Sequence, residues 1–251
     1  MRTFHRDRLE VRIFDDRELA AQVGAELAAE IVREEIGRTG RAAVVLASAV
    51  SQDAFLKALR GKEIDWARVT AFHMDEYLGM GARHPASFRR FLRERLMAHV
   101  PVAAFHELDG EAANPEAECA RYAGLLMEAE PCLVTMGIGE NGHLAFIDPA
   151  ECDFEDPRDV RAVRLDKVCR MQQVHDGAFT RLEDVPRGAL SLTVPFFLRV
   201  PRALVFVNGK KKSPAVRAAL EGPVTEACPA SALRRHPSAV LFLDPAAAGK
   251  L

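Results

Sequence analysis

The chain is expected to fold in the α/β class, as one domain built on a mostly parallel sheet with helices on both faces. Three observations predict this. Short apolar runs alternate with segments of helical period along the 251 residues. The runs are apolar through most of their length, as strands covered on both faces require. Two of them lead straight into residues fit for chemistry, Asp75 with Glu76 after one and Gly137 with Gly139 after the other. Open α/β sheets place their ligands at such strand ends.

Taken in order, Arg17–Arg38 carries Leu19, Val23, Leu27, Ile31 and Ile36 near helical period and stops at Gly37 and Gly40. Ala42–Ala47 reads as a short buried strand and Gln52–Leu59 as a helix. Val69–Met74 is the next strand, and Ser87–Val100 is an arginine-rich amphipathic helix. Pro115–Glu130 is a helix with Ala117, Tyr122, Leu125 and Leu126 at its apolar positions, followed by a buried strand over Pro131–Met136. Further strands fall at Val160–Leu165 and Ala203–Val207, then a helix at Pro214–Leu220 and a strand at Ala239–Leu243. Residues 150–187 form a long, polar, irregular stretch, a candidate active-site lid. Ala246–Leu251 is expected to fray. No repeat or low-complexity tract divides the chain.

Composition narrows the function. Hydrophobic residues at 49% and charged ones at 28% are those of an ordinary globular protein. A formal net charge of −2 argues against a general binder of nucleic acid or membrane surfaces. Five scattered cysteines form no CxxC pair, which favours reduced thiols over a disulfide framework or a zinc site. The first residues, MRTFHRDRLEV, are too charged for a signal peptide, and no apolar run approaches the ~18 residues of a membrane span. The cytoplasm is the expected compartment.

Three segments carry chemistry. In GIGENGHLAFIDP, the glycines permit close approach of backbone N–H groups to a ligand, and His143 with Asp148 can move protons near neutral pH. The bland alternative is a turn with a satisfied core histidine. In FHMDEYLG, Asp75 stands where a general base would, or else merely caps a turn. In Gly209-Lys210-Lys211-Lys212, cations at a helix N-terminus oppose its dipole unless an anion intervenes. A solvated basic turn is the alternative there.

Together, FHMDEYLG and GIGENGHLAFIDP resemble the glucosamine-6-phosphate deaminase family, in which an M-D-E-Y segment and a G-x-G-x-D-G-H-x-A-F-N-E-P segment build one active site. The resemblance continues through Trp66-Ala-Arg-Val-Thr, His84-Pro-Ala-Ser-Phe, Glu118-Cys-Ala-Arg-Tyr and Leu220-Glu-Gly, in order along nearly the whole chain. It implies a Rossmann-like fold and a small phosphosugar as partner. His143, steered by Asp148 and Asn141, would open the sugar ring, and Asp75 would move the C2 proton. Ser48, Ala49, Ser51, Gln52, Glu76, Gly137, Gly139, Lys212 and the lid residue Arg170 would hold the substrate. No metal or organic cofactor is implied, and a homo-oligomer stays open.

This chain departs from the family pattern in three places. The P-T-G-G-T-P phosphate loop is here Ala47-Ser48-Ala49-Val50-Ser51-Gln52, without its glycines. Asn141 replaces a carboxylate and cannot carry the charge that stabilises an imidazolium. Asp148 stands for a glutamate, one methylene shorter. Three rivals follow. A 6-phosphogluconolactonase would have D-E-R and S-L-F-P at these motifs. A sugar-phosphate-sensing regulator would need a DNA-binding module for which Val11 leaves no room. A degenerate, inactive paralogue would explain Asn141 and the lost glycines.

Overall fold

The computed structural model describes residues 1–251. The chain opens with a hairpin, β1 (Arg2–Arg6) and β2 (Leu9–Ile13), then α1 (Arg17–Thr39), β3 (Ala42–Leu46) and α2 (Asp53–Leu59). β4 (Val69–His73), β5 (Asp75–Tyr77), α3 (Phe88–Leu92), β6 (Ala104–His106), α4 (Pro115–Ala129) and β7 (Leu133–Met136) follow. The last part holds β8 (Val160–Arg164), α5 (Lys167–His175), β9 (Gly188–Leu192), α6 (Val194–Arg199), β10 (Arg202–Val207), α7 (Ser213–Glu221) and β11 (Ala239–Leu243).

Eight strands form the central sheet in the order β1-β2-β11-β10-β7-β3-β4-β6, all parallel except the β1–β2 hairpin. From β3 the chain builds outward through β4 to β6, then returns to lay β7 on the other side of β3 and continues to β10 and β11. The strand order therefore reverses between β3 and β7. A crevice opens at the C-terminal ends of strands where such a reversal occurs.

Alternate residues of each strand feed two apolar cores, as a period of two demands. Val44, Leu46, Leu204, Phe206, Val240 and Phe242 point into a core under α1 and α2. Val45, Val205, Leu241 and Leu243 point into a larger one shared with α4, α6 and α7. The helical cover expected on both faces is present. On the second face it is joined by a three-stranded antiparallel sheet, β5-β9-β8.

The elements expected from sequence are found, with several corrections. In α1 the buried face is Ala20, Ala21, Gly24, Ala25, Ala28, Ala29, Ile31 and Val32, so that Ile31 packs inward as expected while Leu19 is exposed. The helix lies so close to the sheet that a Cβ at Gly24 would collide with the Phe206 ring. It runs through Gly37 and is closed by Gly40 at φ 83°. The arginine-rich helix is only α3 before it widens into a π-helical turn over Arg93–Met97. The β1 strand, mostly exposed, and the half-buried three-residue edge strand β6 were not expected, because such strands leave little apolar pattern. Residues 150–187 are not irregular but contain β8 and α5. Nor is the C-terminus frayed: Ala247 is buried and its N–H donates to Asp244 Oδ1 at 2.7 Å. No helix is long and apolar enough to cross a membrane.

Candidate functional site

A cavity of about 330 Å³ sits at the strand-order reversal, a size suited to a small ligand. Ala47–Ser51 after β3, Met74 and Asp75 after β4, and Gly137–Gly139 after β7 form its floor. Residues 85–88 line one wall, and Gln172, Gln173 and Asp176 of the α5 region line another.

His143 is held from behind. The β7 loop turns through Gly142 at φ 85° and then Ala145 at φ 52°, a left-handed conformation that strains a non-glycine residue by about 1 kcal/mol. The imidazole lies flat over Gly139, where any Cβ would overlap the ring. Its Nδ1 is 2.8 Å from Asn141 Oδ1 and 3.2 Å from Asp148 Oδ1. Asn141 Nδ2 donates to Asp148 Oδ1 at 2.8 Å and to Asp166 Oδ2 at 2.9 Å. With both amide hydrogens directed at carboxylates, Oδ1 must be the atom facing the ring. Both neighbours of Nδ1 are thus acceptors, so Nδ1 carries the proton and Nε2 offers its lone pair. Burial pushes the Asp148 carboxyl up, but hydrogen bonds from His143, Asn141 and the Asp166 N–H outweigh it, and the net shift is downward. The Cys169 thiol is nearby, its ligand atom within 4.8 Å of those of His143 and Asp148. Burial and the two aspartates raise its pKa and keep it protonated.

Asp75 begins β5 rather than ending β4, because the chain kinks at Met74 to leave one sheet and join the other. His73 secures the kink. Its Nε2 accepts from Leu108 N–H at 2.8 Å, so Nδ1 is protonated and donates to the Asp75 carbonyl at 2.9 Å. Tyr122 Oη clamps the His73 backbone on both sides, accepting from His73 N–H at 3.0 Å and donating to His73 O at 2.8 Å. Asp75 borders the cavity, nearly buried, and its carboxyl is held well above the usual carboxylate range by burial and then by Glu76.

The other expected site residues divide. Ser48, Ala49, Ser51, Gly137 and Gly139 border the cavity. Glu76 does not: neighbours along a strand face opposite ways, and its carboxylate is taken up by Ser87 Oγ at 2.7 Å and Arg89 Nε at 3.1 Å. Gln52 is fully buried beneath the loop, donating to Met136 O at 3.2 Å. Arg170 is turned away, its guanidinium donating to the carbonyls of Leu182 and Val185. Lys212 does not border the cavity either. It stands unpaired just ahead of α7, and burial lowers its pKa against the pull of Asp176 and Glu140. The arginine that does border the cavity is Arg95, which donates to Asp53 Oδ1 at 2.8 Å. Sequence reading missed it, since nothing in an arginine-rich helix marks which arginine the π-helical turn brings to the cavity's edge.

Comparison with known proteins agrees with this architecture. Residues 15–242 match the family model described as glucosamine-6-phosphate isomerases/6-phosphogluconolactonase. The glucosamine-6-phosphate deaminase of Streptococcus sanguinis (strain SK36) is 33% identical over 88% of this chain and 92% of its own length. That of Cellvibrio japonicus (strain Ueda107) is 33% identical over 97% of this chain and 92% of its own. The solved structure of a monomeric glucosamine-6-phosphate deaminase superposes with a TM-score of 0.87 at 27% identity, covering 96% of this chain and 99% of that one. A 6-phosphogluconolactonase from Shewanella baltica OS155 shares the fold, with a TM-score of 0.76 at 21% identity over 93% of this chain and 97% of that one. This chain belongs to the glucosamine-6-phosphate isomerase/6-phosphogluconolactonase family.

Proposed function

We propose that the chain is a deaminating aldose–ketose isomerase, converting an amino-sugar 6-phosphate, glucosamine 6-phosphate first among them, to a ketohexose 6-phosphate and ammonia. The observation that carries this reading is the meeting of Asp75 and the His143–Asp148 pair on one cavity. His143 Nε2 takes the proton of the anomeric hydroxyl and returns one to the ring oxygen, which opens the ring. Asp148 and Asn141 keep Nδ1 protonated meanwhile. Asp75 removes the C2 proton, and the electron pair of that bond forms a C1=C2 double bond while the C1=O π pair moves onto O1, which takes up a proton to give an enolamine. The proton goes back to C1, leaving an imine at C2. Water adds there and ammonia departs.

The phosphate is proposed to lie against the 48–51 turn. Ser48 and Ser51 offer hydroxyls, and the opening N–H groups of its helical turn have no intrahelical partner. Side-chain donors thus stand in for the missing glycines. Arg95, paired with Asp53 just after that turn, supplies a cation at the cavity's edge, and Lys212 a second one from outside it. The segment carrying α5 serves as the lid, with Gln172 and Gln173 over the sugar. All five cysteines are unpaired, and we place the reaction in the cytoplasm on that ground.

The test is an ammonia-release assay on a panel of amino-sugar 6-phosphates, with hydrolysis of 6-phosphogluconolactone followed alongside. Ammonia with ketose phosphate supports the reading. Lactone opening without ammonia assigns the lactonase activity instead, and neither reaction marks the chain as a degenerate paralogue.

A further inference from the structure

Asp166 lies outside the cavity, and neither motif pointed to it. Its side chain makes two different contacts. Oδ1 accepts from Cys169 N–H at 2.7 Å and so caps α5, while Oδ2 accepts from Asn141 Nδ2 at 2.9 Å. Its own N–H donates to Asp148 Oδ2 at 2.8 Å. The first residue of the lid helix's cap is therefore bonded to both residues that face the His143 ring.

The polarity of this cluster leaves one arrangement. Asn141 must give one amide hydrogen to Asp148 and the other to Asp166, which commits its oxygen to His143. A reversed amide would set an oxygen against two carboxylates and an NH₂ group against the Nδ1 proton. The docking of α5 is tied to the same loop elsewhere, since Glu140 N–H donates to Gln172 Oε1 at 2.8 Å and His175 Nδ1 lies 3.3 Å from Glu140.

We infer that Asp166 is a positioning residue for His143: acting through Asn141, it fixes which imidazole nitrogen is protonated and couples that choice to the seating of α5. A donor at position 141 and an acceptor at position 166 are a matched pair. A carboxylate at position 141, the pattern of the resembling family, would here meet Asp148 and Asp166 with no hydrogen to share. The inference rests on the reading of His143 as the proton carrier, but its test does not depend on activity alone.

The experiment compares Asp166→Ser, Asn141→Asp and the double variant Asn141→Asp/Asp166→Asn with the parent. The His143 ring nitrogens are followed by NMR across pH, and kcat and KM for ammonia release are measured beside them. Serine is as good an N-cap as aspartate, so Asp166→Ser keeps the α5 cap while freeing Asn141. It is expected to raise the population of the tautomer protonated at Nε2 and to lower kcat about tenfold, with KM within about twofold. Asn141→Asp gathers three carboxylates. It is expected to change the His143 tautomer populations and to lower kcat further, and the double variant returns the count to two and recovers about tenfold of that loss. Parental His143 tautomer and kcat in Asp166→Ser would reduce Asp166 to a helix cap. A double variant no better than Asn141→Asp would likewise overturn the pairing. Should the parent release no ammonia, the proposed reaction falls, and the NMR arm alone decides the role of Asp166.

Discussion

Asp75, the proposed base, sits where β4 hands over to β5: the handover buries the carboxyl, and burial with Glu76 beside it raises the pKa. A base must be ionised to act, so activity should climb as pH rises through that raised value. Glu76→Gln removes the neighbouring negative charge, which favours ionisation of Asp75. The acid limb of kcat/KM is expected to move to lower pH, and an unmoved limb would separate Glu76 from the base electrostatically. At Gly139 the prediction is steric. Gly139→Ala pushes the imidazole off its seat, and a ~1 Å displacement of a catalytic group costs about 10²-fold in rate. kcat is expected to fall by that order with the fold intact by circular dichroism. Asp75, His143, Asn141 and Asp148 were legible because they sit in contiguous motifs at strand ends. Glu76 was misassigned although the period of two would have turned it away from Asp75, and Asp166 was invisible because its partners lie 18 and 25 positions back.

At the scale of elements, the cavity is made by loops and by short helical pieces whose aim the chain pattern does not encode. Ser48, Ala49 and Ser51 of the 47–52 turn border the cavity, but its Gln52 points down at Met136, and the arginine that reaches the cavity comes from the π-helical turn. Within α5, Arg170 is committed to the carbonyls of the 182–185 turn, while Gln172 and Gln173 face the cavity. Amphipathic spacing marks a buried face, yet tertiary partners choose among side chains long enough to reach either way. A comparison of two variants resolves the phosphate cation. Arg95→Gln is expected to raise KM by roughly 10–100-fold with kcat nearly held, the loss of one charged hydrogen bond. Lys212→Ala is expected to raise KM less, because Lys212 does not border the cavity. The reverse order, a large effect at Lys212 and none at Arg95, would move the phosphate to the α7 end.

For the whole molecule, alternation of helices and strands was enough to anticipate the parallel sheet, because each buried strand is an apolar run and each helix an amphipathic one. The second sheet was not anticipated. It pairs β5 with β9 across more than a hundred residues, and a strand of three residues such as β5 carries no period of its own. That sheet makes the fold depend on a neutral His73 at its junction with the first. Burial lowers this histidine from 6.5 to about 3, so the native state binds fewer protons than the unfolded chain between those values. Its stabilising effect is complete above about pH 6.5 and is lost as pH falls toward 3, at up to about 1.4 kcal/mol per unit. Denaturant midpoints are expected to fall steeply over that range, and His73→Asn to flatten the slope while lowering the neutral-pH plateau. The central claim, that this fold runs a deaminating isomerisation with Asp75 at C2, is tested most directly in D₂O. The parent and Asp75→Asn are incubated with glucosamine 6-phosphate, and released ammonia is measured together with deuterium at C1 of the ketose product. The parent is predicted to release ammonia and incorporate solvent deuterium, and Asp75→Asn to lose turnover by about 10²–10⁴-fold while still binding a substrate analogue. Near-parental ammonia release by Asp75→Asn, or a parent that releases none, would contradict the claim.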